Sequence, residues 1–210
     1  MEFRQLMETR RSVNYFDPNK TVSDEELRKM VELATLIPSS FNLQPWNLIV
    51  VRSPADKARL RKRAWDQFKV TQAPVVLIVL ADKDGYKEGH PTVEQVWDSF
   101  MKNGYMKPEQ RDYFLNGSKQ LYGENEMRSL AFAAKNAAFF GLALMLAAKE
   151  LGIDTHPMDG FDHDGVVEEF SIPKNFFVPM LIAVGHFDEN KQLLPRNWRK
   201  PYDEIVIATY

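Results

Sequence analysis

The chain has 210 residues, of which 44% are hydrophobic and 12% aromatic, enough apolar material for one globular domain with an ordinary core. A formal net charge of -2 gives no electrostatic ground for a nucleic-acid or acidic-membrane partner. The absence of cysteine excludes disulfides, thiolate catalysis and Cys-type zinc sites.

Residues 2 to 10 read as a short helix, with Phe3, Leu6 and Met7 at helical spacing. The opening stretch has no apolar h-region and is not read as a secretory signal. "RRSVNYFDP" follows as a loop, punctuated by Asn14, Asp17 and Pro18. Ser23 with Glu26 forms a capping box that opens a helix through about Leu36, and Pro38 closes it. "PSSFNLQPWN" comes next, a polar interruption before the apolar strand "LIVVR". "SPADKARLRKRAWDQFKV" reads as a basic helical stretch, and "APVVLIVLAD" as a strand buried on both faces. The segment 84–125, rich in Lys, Glu, Tyr, Phe and Gly, is expected to form one or two helices protruding from the core as a lid. "MRSLAFAAKNAAFFGLALMLAAKELG" predicts a central buried helix ending at Gly152. "THPMDGFDHDGVVEEFSIP" reads as a turn into a short helix, "FVPMLIAVGHF" as a buried strand and "EIVIATY" as a terminal one. Intermingled helices and doubly buried strands predict an α/β or α+β three-layer sandwich over residues 1–210, with no internal repeat or linker.

No familiar nucleophile device, Walker lysine motif or G-x-G-x-x-G fingerprint occurs. His90, His156, His163 and His186 lack the spacing of a helix-borne metal pair, and the His156–His163 stretch reads as solvated loop, so no metal is expected. What remains are loops that bind anions and present amides. "ETRRSVN" places Arg10 and Arg11 beside Ser12 and Asn14, which is either a solvated basic turn or a phosphate cradle. "RKR" at 61–63 reads as a solvated helix face. "PSSFNLQPW" offers donors and acceptors for a planar polar heterocycle, or else caps the preceding helix.

"RRSVNYF", "PSSFNLQPW", "QAPVVLIVLA", "LGIDTHPMDGFD" and "RNWRKPYDEIV", in this order, resemble the flavin-dependent nitroreductase family, close to its bacterial NAD(P)H-dependent nitro/quinone reductases. The resemblance implies an α+β three-layer sandwich with a mostly antiparallel sheet, an intertwined homodimer with an exchanged C-terminal strand, and FMN at its interface. Arg10, Arg11, Ser12 and Arg199 would then hold the FMN phosphate and ribityl chain, with Asn14 where the family often has a basic residue. Pro38, Ser39, Ser40 and Asn42 would line the flavin of the partner subunit, while Gln44 and Trp46 either share that role or order the loop and fill the core. Gln67, beside an Asp66 where the family commonly has an amide, and Lys69 would meet the pyrimidine edge. There the cation stabilises the negative charge of the reduced ring. Pro157, Met158, Asp159 and Gly160 match the turn beside flavin N5. Asn197 replaces a basic residue, with Arg196 or Lys200 as substitutes. Tyr105, Tyr113, Phe114 and Tyr122 would belong to a variable substrate lid, or pack into core or dimer.

The implied activity is ping-pong transfer of two electrons from NADH or NADPH, through N5, to a nitroaromatic or quinone. No side chain is needed as acid or base, and a cytoplasmic location is expected. Two alternatives are a flavin-binding or sensing protein without turnover, and a specialised dehalogenase or dehydrogenase of the same fold. A nucleic-acid module is a distant further one.

Overall fold

A computed structural model describes residues 2–210. Its centre is β2 (Val75–Asp82), buried along its whole length. Such a strand can exist only with cover on both faces and a partner on both edges. β1 (Trp46–Val51) and β4 (Phe176–Gly185) supply the edges, both antiparallel, and β3 (Asp154–Met158) pairs antiparallel with the far side of β4. Among the described residues the sheet order is therefore β1-β2-β4-β3.

The period-two alternation of β2 sorts the core into two layers. Val75, Leu77, Val79 and Ala81 face one cluster, whereas Val76, Ile78 and Leu80 face another. The first lies under α2 (Asp24–Ala34), α5 (Pro91–Lys102), α6 (Arg111–Tyr122) and α7 (Glu126–Glu150). The second lies under α3 (Pro54–Arg63), α4 (Lys69–Gln72) and α8 (His163–Glu169), together with Val13 and Phe16. This is the expected three-layer α+β sandwich.

Local chemistry explains most boundaries. Ser23 and Glu26 make both bonds of the capping box at α2, worth about 1 kcal/mol. In α7, Phe132, Ala133, Ala137, Phe140 and Leu144 share the buried face at helical spacing. The opposite face leaves Met127, Phe139 and Leu142 exposed, so the helix is not covered all round as its composition suggested. The segment 84–125 is helical, and its apolar side is core: Val93, Val96, Trp97 and Phe114 are buried there.

Three readings of the sequence are corrected. "THPM" is strand, not turn; it lies on a sheet edge, where Pro157 needs no ladder donor. The basic stretch after Ser53 is not one helix: Trp65 and Asp66 adopt left-handed backbone angles (φ 49° and 57°) that turn the chain between α3 and α4. "EIVIATY" forms no strand within its own chain. A short turn, α9 (Tyr202–Ile205), leads to an exposed end with no ladder to join.

The loop after α1 (Phe3–Thr9) is stitched to the edge of β3 by a parallel bridge between Ser12 and Thr155, with Val13 N–H donating to the Thr155 carbonyl at 3.1 Å. Phe16 then sits against Gly185, where an added Cβ would fall 2.8 Å from the Phe16 ring and 2.6 Å from Pro74. Gly185→Ala should therefore cost about 1–3 kcal/mol through overpacking, read as a lowered urea midpoint.

Candidate functional site

Arg10, Arg11, Ser12 and Asn14 line a hollow of about 490 Å³, closed on its other side by residues 192–197 and Arg199. Four guanidinium groups border it, and among the described residues none of them is in an ion pair. Three are spent on backbone. Arg11 donates to the Leu194 carbonyl at 2.6 Å. Arg196 donates to the Glu8 and Arg10 carbonyls at 2.7 and 3.1 Å, which ties the tail to the end of α1. Arg199 donates to the Asn197 and Trp198 carbonyls. Arg10 has no side-chain partner among the described residues. Burial first, and then the charges of Arg196, Arg199 and Arg11, hold its pKa below the usual arginine value. A positive field with no counter-charge and an unpaired guanidinium is the condition that a bound phosphate relieves.

A second group lies where α4 meets the end of β3. The turn at Trp65 and Asp66 sends the two neighbours in opposite directions. Asp66 points outward to Arg61 at 2.7 Å, whereas Gln67 turns inward. Gln67 Nε2 donates to the Gly160 carbonyl at 2.7 Å, and its Oε1 accepts from Lys69 Nζ at 3.1 Å. Lys69 is buried, which lowers its pKa, and among the described residues its ammonium has one amide oxygen as partner and no carboxylate. Gly160 itself lies under the exposed Trp65 ring, where an added Cβ would come within 3.1 Å. Pro157 and Met158 belong to β3, Met158 with its side chain in the core, and Asp159 lies just beyond the strand.

Two residues that the sequence did not single out join these groups. His156, read as a solvated loop residue, stands in β3 with Nδ1 2.9 Å from the Val13 carbonyl. The Nδ1 proton is therefore the donor. Tyr15 packs on Phe68 with ring centroids 5.4 Å apart. Both had only a local signal, their place beside matched motifs.

The remaining predicted residues lie elsewhere. Pro38, Ser39, Ser40 and Asn42 form a tight loop against α7, and none of them lines the arginine hollow. Ser39 Oγ accepts from Gln44 N–H at 3.1 Å, and Ser40 N–H donates to Asn136 Oδ1 at 3.0 Å. Gln44 closes back on the Asn42 carbonyl. Trp46 stacks on Phe140 at 5.0 Å, so these two do order the loop and fill the core. Of the aromatics in the middle segment, Phe114 and Tyr122 pack in the core, and Tyr105 and Tyr113 are exposed.

The sequence pattern of the Nitroreductase family matches residues 7–186. This chain belongs to the nitroreductase family. MhqN of Bacillus subtilis, provisionally named an NAD(P)H nitroreductase, is 33% identical over 98% of both chains. The solved ydfN nitroreductase from Bacillus subtilis matches 98% of this chain and 97% of its own at 31% identity, with a TM-score of 0.89. A nitroreductase structure from Exiguobacterium sibiricum, solved in complex with FMN, matches 98% and 96% at 28% identity, with a TM-score of 0.84.

His156 is a direct probe of the junction between the two groups. Burial first, and then the charge of Lys69, lower its pKa from 6.5 to about 4, against the opposing Val13 carbonyl bond. The unfolded chain binds the extra proton between those values, so the stabilising contribution is present above about pH 6.5 and lost as pH falls towards 4. Urea midpoints measured across that window should fall more steeply for the wild type than for His156→Gln. Parallel curves would remove His156 as the cause.

Proposed function

We propose that this chain is an FMN-dependent oxidoreductase that moves two electrons from NADH or NADPH to nitroaromatic or quinone acceptors, by a ping-pong cycle in a cytoplasmic homodimer. The observation that carries the reading is the uncompensated Arg10 field beside the buried Lys69–Gln67–Gly160 chain. One end suits a phosphate, and the other suits the polar edge of a planar ring.

FMN, when bound, supplies the hydride chemistry that no side chain here offers. The protein's task is to bind, orient and keep water out. Among the described residues Arg10, Ser12 and Asn14 have no side-chain hydrogen-bond partner, which leaves them for a phosphate and ribityl chain, with Arg11 and Arg199 adding charge. Gln67 and Lys69 are fixed by each other, so the cation meets a ring edge without reorganising. Gly160, with no Cβ, lets the Trp65 ring and the Gln67 amide pack close against this turn. A ring placed there would have an open face, since the loop at 38–42 lies on the other layer of the same chain. A second copy supplies that loop in the proposed dimer. The exposed Phe139 and Leu142 on α7, with Ile205 and Ile207 on the tail, are apolar surface for such a partner. In this arrangement Tyr105 and Tyr113 are the lid residues free to reach an acceptor.

Freshly purified protein should show flavin bands near roughly 370 and 450 nm that bleach with NADH under anaerobic conditions and return with menadione or a nitrofuran. A bleached flavin that no acceptor reoxidises would leave a sensor, and a protein colourless after FMN reconstitution would end the oxidoreductase reading. Arg10→Ala should weaken FMN binding about tenfold or more, the loss of one charge-assisted bond, while leaving the far-UV spectrum unchanged. Equal FMN affinity in that variant would remove Arg10 from the phosphate site.

A further inference from the structure

Asn136 is a fully buried amide in the middle of a 25-residue helix whose neighbouring buried positions are apolar. Asparagine is a poor residue for a helix interior, and a buried amide is costly unless its polar atoms are bonded. Here they are. Nδ2 donates to the Phe132 carbonyl at 2.7 Å, one turn back, and lies 3.3 Å from Ser40 Oγ. Oδ1 accepts from Ser40 N–H at 3.0 Å. The orientation of the amide is settled by the partners, because the reverse would set oxygen against the Phe132 carbonyl and NH₂ against the Ser40 N–H.

The loop that Asn136 holds is under backbone strain. Phe41, Asn42 and Gln44 have φ of 54°, 56° and 45°, left-handed values that non-glycine residues avoid, phenylalanine especially. Strain of this kind persists only where surrounding contacts over-determine it. Two anchors do so. The Phe41 ring lies 5.9 Å from Phe114 and 6.2 Å from Tyr122, over Gly117, whose added Cβ would be 3.7 Å away. Asn136 is the polar anchor, and it takes Ser40 by both its N–H and its hydroxyl.

We propose that Asn136 is the positioning residue of the flavin-lining loop: it turns Ser40 inward and thereby sets Asn42 and the backbone of residues 38–40 towards the cofactor of the partner subunit. This rests on the function proposed above. Ser40 then acts as the tether of the loop, with its hydroxyl directed to Asn136.

The test is Asn136→Leu, nearly isosteric and a better helix former, compared with Leu144→Ala, a core truncation two turns along the same helix. FMN dissociation constants, melting temperatures and amide exchange at residues 40–43 are measured on the full chain. Asn136→Leu should raise the FMN dissociation constant about tenfold and speed exchange at Ser40. Leu144→Ala should lower the melting temperature at least as much, yet leave FMN affinity within about twofold. Wild-type affinity with a protected Ser40 amide in Asn136→Leu would overturn the proposal, as would an equal loss of affinity in Leu144→Ala. Should the leucine variant fail to fold, Asn136→Gln, which keeps the amide one methylene too far out, gives the same comparison. A wild type that takes up no FMN would sink the functional reading instead, and exchange at Ser40 would still decide whether Asn136 anchors the loop.

Discussion

The complete burial of β2 is the constraint on which the rest of the molecule depends. A strand with no exposed residue must have a helical layer above and below it and a paired strand on either edge. β1 and β4 answer the edges, and the alternating side chains of β2 divide the apolar residues into the two clusters. The division has a functional side. The loop at 10–16, α4 and the end of β3 all fall on one face, and the loop at 38–44 falls on the other, against α7. The two halves of the proposed flavin site are thus separated by the sheet itself, and only a second copy could bring them together.

Polar interactions decide what happens at the rims of that sheet. Around Arg10, three neighbouring guanidinium groups donate to backbone carbonyls: Arg196 and Arg11 tie the tail to the end of α1 and the loop after it, and Arg199 bonds within the tail. Each uses one nitrogen on carbonyl oxygen, and among the described residues none meets a carboxylate. Hydrogen bonding and charge neutralisation are separate requirements; here the first is partly met and the second is not. Lys69 repeats the pattern, with one amide oxygen and no carboxylate. Both places carry an electrostatic cost that an anionic, planar ligand would offset.

Much of this was legible in the amino-acid order, and the exceptions have physical causes. β2 announces itself by an unbroken apolar run, α2 by its capping box and α7 by length and composition. The paired motifs also drew attention to Arg10, Ser12, Gln67 and Lys69, the residues on which the proposed site is built. β3 escaped detection because an edge strand needs neither a continuous apolar run nor a donor at every residue, so "THPM" has the composition of a turn. The break at Trp65 and Asp66 escaped because neither residue is a glycine; aspartate tolerates left-handed angles, but tryptophan before it gives no such signal. Asn136 was hidden for the opposite reason. A single amide among alanines and phenylalanines has no pattern, and its meaning lies in a partner 96 positions away.

Among the described residues, five of the six left-handed non-glycine positions fall into two groups, Ser171 being the sixth. Phe41, Asn42 and Gln44 form one, and Trp65 with Asp66 forms the other. The first bends the loop proposed to cover the ring, and the second turns Gln67 towards Gly160. A chain selected only for folding would relieve such strain with glycine, which adopts these angles at little cost. Glycine would also enlarge the set of shapes open to each loop. A bulky residue in a left-handed conformation, held by a buried anchor, excludes most of those alternatives. The strain is therefore better understood as the cost of rigidity at two edges of one site, with the sheet between them as the fixed reference.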